Sequence, residues 1–585
     1  MSSDTSDDGN DDILGSEAED GSVDSDTWLE MEDNDESDVI IPAQADDDSE
    51  CDDEPDTRTA GSDVDEESLW NNVIADCQPM ETPDTLRLTG DKKALQKTRV
   101  DGWEVEPSRF PSDERFPNLY EGASGPTDTV LSIADSPLKL FLFFMPRSFW
   151  KKVEREPNRY YDQNLMKRID RMWSKQPKPK KRTKDEMLDL ELRRHKHIKA
   201  HEMLQCVGLL ISRMLCPQKR RFSDHWSTVS VGVVPVETFG RVMSRNRFAE
   251  IMRNIHFTNN AAANADTDRA WKVRSISDTL QKTFKAGYNI PGVLAFDEAM
   301  IPSQSDSSTA YCLRLEVYCG KAHHTTSVAK KKAAAESSRP AAVMRNLTAL
   351  PPPKKEKVFF AVVTDRFYTS IRLALELLTR IVYSVGTILP SRAGFSDLLT
   401  EKNRNRPKTI TRGTVRMGVA KALPQLGAMV WWDQKPVHVL ATGASRAMLT
   451  CERRISGGKG RTTTVSCSSM IRDYQTWMGG VDVHDQLRLQ RYSLQLAVMF
   501  TKYYKTIALG MIDMAIANAY ICQREARKAE SKPAADHAKF LLELHAQLVA
   551  MTDADFADTM FSPGPATPTR ELSPTTAHSL TADDE

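Results

Sequence analysis

Apolar residues are distributed unevenly along this chain, and their pattern divides it into parts. Residues 1–130 contain few of them among dense Asp, Glu, Ser and Gly. We expect a disordered acidic arm there, because so little apolar surface cannot offset the entropy lost on ordering. Residues 551–585 are rich in Pro, Thr and Ser, which predicts a disordered tail.

Two stretches between these termini show helical periodicity. A compact apolar and aromatic run begins at Leu138, and from 186 to 287 Leu, Met and Ile recur at steps of three and four residues, with Arg and Lys between them. The segment FTKYYKTIALGMIDMAIANAYICQREARK has the same character. We therefore expect helical regions at 138–287 and 488–550.

Short runs rich in Val, Leu and aromatic residues predict strands. A helical pattern, FYTSIRLALELLTRIV, follows the strand predicted at 357–364. This order favours an α/β core with helical additions. The predicted strands are 292–296, 309–319, 357–364, 414–420 and 427–441.

The net charge of −4 conceals a strong separation of charge along the chain. Residues 1–70 hold 28 acidic side chains and one basic one, and residues 551–585 hold seven and one. The body, 71–550, therefore has 76 basic and 47 acidic side chains, a net charge of +29. Such a surplus favours a polyanionic partner, usually nucleic acid. The alternative is a basic body that balances only its own acidic arm.

Three acidic positions are candidates for a metal site. Asp297 and Asp365 each follow a buried apolar strand, and neighbouring strands of this kind place ligands at one edge of a sheet. Two adjacent carboxylates repel unless a cation lies between them, and Mg²⁺ prefers such hard oxygen ligands. Asp482 and Asp485 are three residues apart, so on a helix they share a face. For each aspartate alone, a turn or cap role is the alternative.

The sequence around these residues resembles the piggyBac-type transposases over roughly 138–525. The resemblance rests on four segments: FDEAMIP, VVTDRFYTSIRLALELL, RDYQTWMGGVDVHDQLRLQRYSL and LKLFLFFMPRSFWKKVEREPNRYYDQN. It implies an RNase H-like, retroviral-integrase-like core at 288–385 and 470–487, which is interrupted by a β-rich insertion at 386–469 and has helical DNA-binding and dimerisation segments. It also implies that Asp297, Asp365 and Asp482 bind two Mg²⁺ ions, with Asp485 supporting. The implied activity is cleavage and transfer of double-stranded DNA at transposon ends and TTAA targets, by a homodimer.

The chain departs from the family pattern in three places. Only eleven residues separate Asp297 from Thr309, so we expect the second strand of the core to be missing and catalysis to be impaired. Arg366 replaces a common Asn; it could pair with a neighbouring carboxylate or contact a DNA phosphate. Only Cys522 follows Cys467, so no cysteine-rich zinc module is expected.

Location and present function remain separate questions. Lys178, Lys180, Lys181 and Arg182 resemble a nuclear-import signal, although a basic linker or a phosphate contact is also possible. No run of about twenty apolar residues is present, so no membrane span is expected. Three functions compete: a transposase or its enzymatic descendant, a non-catalytic nuclear DNA-binding protein whose acidic arm recruits partners, and a chromatin or chaperone-like binder with relic motifs.

Overall fold

The structure of this protein is a computed structural model. It describes the following residues of the chain: 92–177, 181–217, 222–230, 232–233, 236–262, 265, 268–297, 300–304, 310–317, 339–348, 358–454, 462–490, 492–498, 500–533 and 535–560.

Helices dominate both ends of the described chain. The α-helices are α1 Lys92–Asp101, α2 Asp128–Leu131, α3 Pro137–Phe144, α4 Arg147–Val153, α5 Arg155–Lys175, α6 Lys184–Arg194, α7 Ala200–Leu215, α8 Arg245–Asn254, α9 Trp271–Gly287, α10 Arg339–Thr348, α11 Ile371–Thr379, α12 Ser469–Asp485, α13 Leu494–Ala497, α14 Tyr503–Ala529 and α15 His537–Val549.

Strands occupy mainly the middle of the chain. They are β1 Trp103–Glu104, β2 Gly125–Pro126, β3 Tyr288–Asn289, β4 Val293–Phe296, β5 Met300–Gln304, β6 Tyr311–Leu315, β7 Phe360–Thr364, β8 Val382–Thr387, β9 Val415–Ala420, β10 Leu423–Trp432, β11 Pro436–Thr442, β12 Met448–Arg454 and β13 Thr462–Ser468.

Nine of these strands form one mixed sheet in the order β1-β9-β10-β11-β8-β7-β4-β5-β6. β4 runs parallel to β7, and β7 runs parallel to β8. β4, β5 and β6 are antiparallel neighbours. β12 and β13 form a separate antiparallel ribbon. Four of the strands predicted from the sequence are thus confirmed as β4, β6, β7 and β9. The run 427–441, predicted as one strand, instead forms parts of two antiparallel strands, β10 and β11. Together β9, β10 and β11 of the 386–469 segment extend the main sheet.

The expectation of a missing core strand is wrong. Residues 300–304 form β5, which pairs with β4 on one side and β6 on the other, so no gap divides the sheet. Pro302 has no N–H to donate, and prolines in sheets are confined to edges, strand starts and bulges. Here the register with β6 shifts between Ile301 and Pro302, which is where the ladder can tolerate a proline.

Both faces of the sheet are covered. Along β7, Val362 packs into the large core of the helical region, while the side chains on either side of it, Ala361 and Val363, pack beneath α12. This alternation with burial on both faces explains the continuous apolar run in the sequence. On the other part of the sheet, Ile371 and Leu375 of α11 pack against β10 and β11.

The helical region shares one core with the sheet. Side chains of α3, α7, α9, α14 and α15 join those of β4 and β6 in it. Among the described helices, α14 is the one long and apolar enough to cross a membrane by composition, yet 89% of its apolar window is buried inside the fold. Its apolar surface is therefore used in packing.

The N-terminal part of the fold corrects a second expectation. Disorder was predicted through residue 130, but residues 92–130 contain α1, β1 and a short strand that pairs with β3. β1 pairs with β9, and the buried Trp103 donates from Nε1 to the carbonyl of Gly394 at 2.9 Å. The disordered tail was predicted from residue 551, and this too is corrected: Asp553–Met560 form a 3₁₀ helix, and Met551 and Phe556 are buried. Residues 1–91 of the predicted arm and residues 561–585 of the tail lie outside the described residues.

Candidate active site

Asp297 and Asp365 follow two paired strands at one edge of the sheet. β4 and β7 are parallel, and Phe296 is the register partner of Thr364, so the next residue on each strand is an aspartate. Neighbouring strands lie about 4.8 Å apart. Both aspartates are half-buried. The adjacency inferred from the apolar runs is therefore present in the fold.

The turn after β7 fixes the Asp365 side chain. Its Oδ1 accepts hydrogen bonds from the backbone N–H groups of Phe367 at 2.9 Å and Tyr368 at 3.2 Å. The Thr369 hydroxyl donates to the carbonyl oxygen of Asp365 at 2.6 Å and lies 2.8 Å from the Thr364 hydroxyl. An aspartate that bonds its own backbone two residues on is a common turn former. The carboxylate is thereby held in one orientation.

Arg366, the residue that departs from the family pattern, is exposed beside this turn. Its side chain makes no ion pair or hydrogen bond with any other described residue, including the carboxylate of Asp365. A guanidinium in this state is available to an anion from solution, and planar bidentate pairing with phosphate is its strongest interaction.

Asp482 lies on α12, which packs across β4, β5, β7 and β8. Two buried contacts position this helix. Near its start, the carboxylate Oδ1 of Asp473 accepts from Arg115 Nη2 at 2.7 Å. Near its end, His484 Nδ1 donates to the carbonyl of Ala310 at 2.9 Å, just before β6. Burial lowers the pKa of His484 to about 4, so its imidazole is neutral at physiological pH.

Tyr474 of α12 is a residue whose pKa is affected by the charges of all three aspartates, and it was not predicted from the sequence. Burial is the largest cause that raises its pKa, and the charges of Asp365, Asp297 and Asp482 raise it further. The Thr387 hydroxyl donates to its Oη at 3.4 Å. No sequence signal marks such a residue, since its role arises only from packing.

The candidate site offers carboxylate oxygens to a divalent cation. Carboxylate oxygens are the ligands that Mg²⁺ prefers, so the donor chemistry fits. The spacing does not: among the described residues, no group of three or more His, Cys, Asp or Glu side chains lies close enough to hold a metal ion.

Two further groups of predicted residues fall elsewhere. Asp485 accepts from Arg488 Nη2 at 2.9 Å, so its carboxylate is already paired within the helix. Of the basic residues predicted to direct nuclear import, Lys181 and Arg182 are exposed just before α6. Lys178 and Lys180 lie outside the described residues.

Two comparisons with known proteins found similarity to this chain. A family model described as Transposase IS4 matches residues 136–305 and 304–520, which is more than half of the chain. A solved structure, described as the cryo-EM structure of piggyBac transposase synaptic complex with hairpin DNA, is similar with a TM-score of 0.52 and 17% sequence identity. That match covers 76% of this chain and 85% of the other. At this identity, the likeness concerns the fold.

Proposed function

Since the chain belongs to the piggyBac-type transposases of the Transposase IS4 family, we propose that it binds double-stranded DNA at transposon ends and cuts and joins strands there by phosphoryl transfer, with TTAA as target. Asp297, Asp365 and Asp482 carry this chemistry. The observation that supports it most directly is that Asp297 and Asp365 follow register partners on the adjacent parallel strands β4 and β7, while α12, which carries Asp482, packs across both strands.

The core that holds these residues is RNase H-like in this proposal. The strand order supports it: three antiparallel neighbours, β4, β5 and β6, continue on the other side of β4 into the parallel strands β7 and β8. With β5 in place, the reason to expect impaired catalysis no longer holds. Two Mg²⁺ ions remain the cofactor predicted from the family resemblance.

The protein's own residues have defined tasks in this proposal. Arg366, which is exposed and not paired with any described side chain, binds a DNA phosphate beside Asp365. The backbone N–H groups after Asp365 keep its carboxylate fixed before DNA arrives. Such preorganisation reduces the reorganisation needed during reaction.

Partners and location follow from the same family. The charge of +29 on residues 71–550 supports DNA as the partner. A homodimer and a nuclear location, directed by Lys178, Lys180, Lys181 and Arg182, complete the proposal.

A non-catalytic DNA-binding protein is the second candidate. The observation that favours it is the spacing of the acidic side chains, since no three in the described residues could hold a metal ion. In this case, the basic body would bind DNA and the acidic arm would recruit partners without strand cleavage.

One experiment separates the two candidates. The purified full chain is incubated with a labelled DNA duplex that carries the ends of its element and TTAA flanks, with Mg²⁺ or with a chelator, and products are resolved on a denaturing gel. Magnesium-dependent cleavage at the element ends supports the transposase. Binding without cleavage in either condition supports the non-catalytic protein.

A further inference from the structure

A polar cleft of about 400 Å³ lies between the β12–β13 ribbon and α12. From the ribbon, Thr450, Glu452 and Thr464 line it, and from α12, Arg472, Gln475 and Thr476 line it. The three α12 side chains are exposed and make no hydrogen bond or ion pair with other described residues. The cleft therefore presents hydroxyl, amide and guanidinium groups to a polar ligand, together with the carboxylate of Glu452 on the ribbon side.

These cleft residues begin a stripe that leads to Asp482. Positions 475, 476 and 482 of α12 are exposed, and they follow Arg472 by three, four and ten residues. These separations place all four positions on one face of the helix. At 1.5 Å per residue, the stripe from Arg472 to Asp482 is about 15 Å long.

Gly479, between Thr476 and Asp482, leaves the helix backbone without a covering side chain on this face. It is half-buried, and a Cβ built on it would meet no atom within 4 Å. A glycine in a helix interior costs roughly 1 kcal/mol relative to alanine, and no packing contact in the described structure requires it. A glycine at such a place permits close approach of another backbone.

We propose that the cleft and this stripe bind the sugar-phosphate backbone of a single DNA strand that continues past the aspartates. The inference rests on the proposed function, because it takes DNA as the substrate. Arg472 pairs with a phosphate, Gln475, Thr476 and the ribbon hydroxyls donate to backbone oxygens, and the strand passes over Gly479 toward Asp482.

The test compares a blunt duplex with the same duplex carrying a six-nucleotide single-stranded extension. Affinity for each is measured by fluorescence anisotropy with the full chain over a range of salt concentrations. The extension is expected to tighten binding, and Arg472→Gln is expected to lose about tenfold in affinity for the extended DNA, the value of one charge-assisted hydrogen bond. Because one phosphate contact is lost, the slope of log affinity against log salt concentration should become shallower by about 0.7.

Arg416→Gln is the charge control; unlike Arg472, Arg416 pairs with Glu401 Oε2 at 2.8 Å. Arg416 is the register partner of Val430 on β10, whereas the next residue, Trp431, donates to Ser466 of the ribbon. Successive side chains on a strand point to opposite faces, so Arg416 lies on the face away from the ribbon. This substitution removes the same charge and should leave the advantage of the extension unchanged.

Gly479→Ala separates binding from folding. Alanine favours the helix and has room at this position, so the thermal midpoint should stay or rise. Affinity for the extended DNA should nevertheless fall, because the methyl group blocks close approach.

Equal affinity for blunt and extended DNA, or an Arg472→Gln variant that matches wild type on extended DNA, would overturn the inference and leave the proposed function intact. Absence of binding to either DNA would overturn both.

Discussion

The contact between Arg115 and Asp473 provides a direct test of how α12 is positioned. The Asp473 side chain is 7% exposed, while that of Arg115 is 57% exposed. The second carboxylate oxygen, Oδ2, is buried and has no hydrogen-bond partner among the described residues. Arg115→Met would therefore leave a buried carboxylate without its cation, while keeping an apolar chain beside the rings of Phe116 and Trp477.

The expected loss of stability can be estimated from these exposures. A hydrogen bond to a charged group contributes about 1.5–3 kcal/mol when it is well buried. Because solvent screens the half-exposed Arg115, the lower part of this range applies, about 1–2 kcal/mol. The thermal midpoint of the unit that contains α12 should fall by a few °C.

The assay is thermal unfolding of the wild type and of Arg115→Met, each with and without Asp473→Asn. The neutral Asn needs no cation, so Arg115→Met should cost much less in that background. Burial raises the pKa of Asp473, while the hydrogen bond and the charge of Arg115 lower it. The folded state thus binds a proton more tightly than the unfolded state, and the penalty in Arg115→Met should fade as the pH falls toward the unfolded pKa of about 4.

The reasoning would be refuted by equal destabilisation in both backgrounds. Destabilisation that does not change with pH would refute it as well, because it would assign the effect of Arg115 to packing alone.

Three further outcomes are expected. Burial raises the pKa of Asp513 to about 7 against the hydrogen bonds it accepts, so stability should fall as pH rises from about 4 to 7, and Asp513→Asn should remove this component of a pH series of thermal midpoints. Gly386→Ala would place its Cβ 2.6 Å from the Thr364 carbonyl oxygen, next to Asp365. It should therefore lower the free energy of unfolding by about 1–3 kcal/mol, and with it the thermal midpoint. An unchanged midpoint would show that β8 can shift there. Duplex affinity should fall steeply between 50 and 200 mM salt; a flat response would argue against a phosphate contact.

Apolar patterning was sufficient to predict the two strands that end at Asp297 and Asp365. Both runs are buried on two faces, and such runs are continuous in sequence because no position faces water. The parallel register then follows from the α/β order. This part of the candidate site could therefore be predicted without coordinates.

The sequence did not predict β5 because MIPSQ has little apolar character and a proline at its centre. Its pairing depends on a register shift that adjusts for Pro302, and only the assembled sheet shows this. Trp103 was missed for a similar reason: its strand has two residues, and its burial depends on Gly394, almost three hundred residues away. Tyr474 has no local signal, because two of the aspartates whose charges act on it, Asp297 and Asp365, come from distant segments.

The most direct test of the central claim is cleavage of element-end DNA in Mg²⁺ by four variants, with DNA binding measured in parallel. Asp297→Asn, Asp365→Asn and Asp482→Asn each remove one carboxylate of the site, and Asp135→Asn removes an exposed one on the surface. Wild type and Asp135→Asn should cut the DNA, while the three site variants should bind it without cutting. Cleavage by all four variants, or binding without cleavage by the wild type, would contradict a catalytic role for the three aspartates.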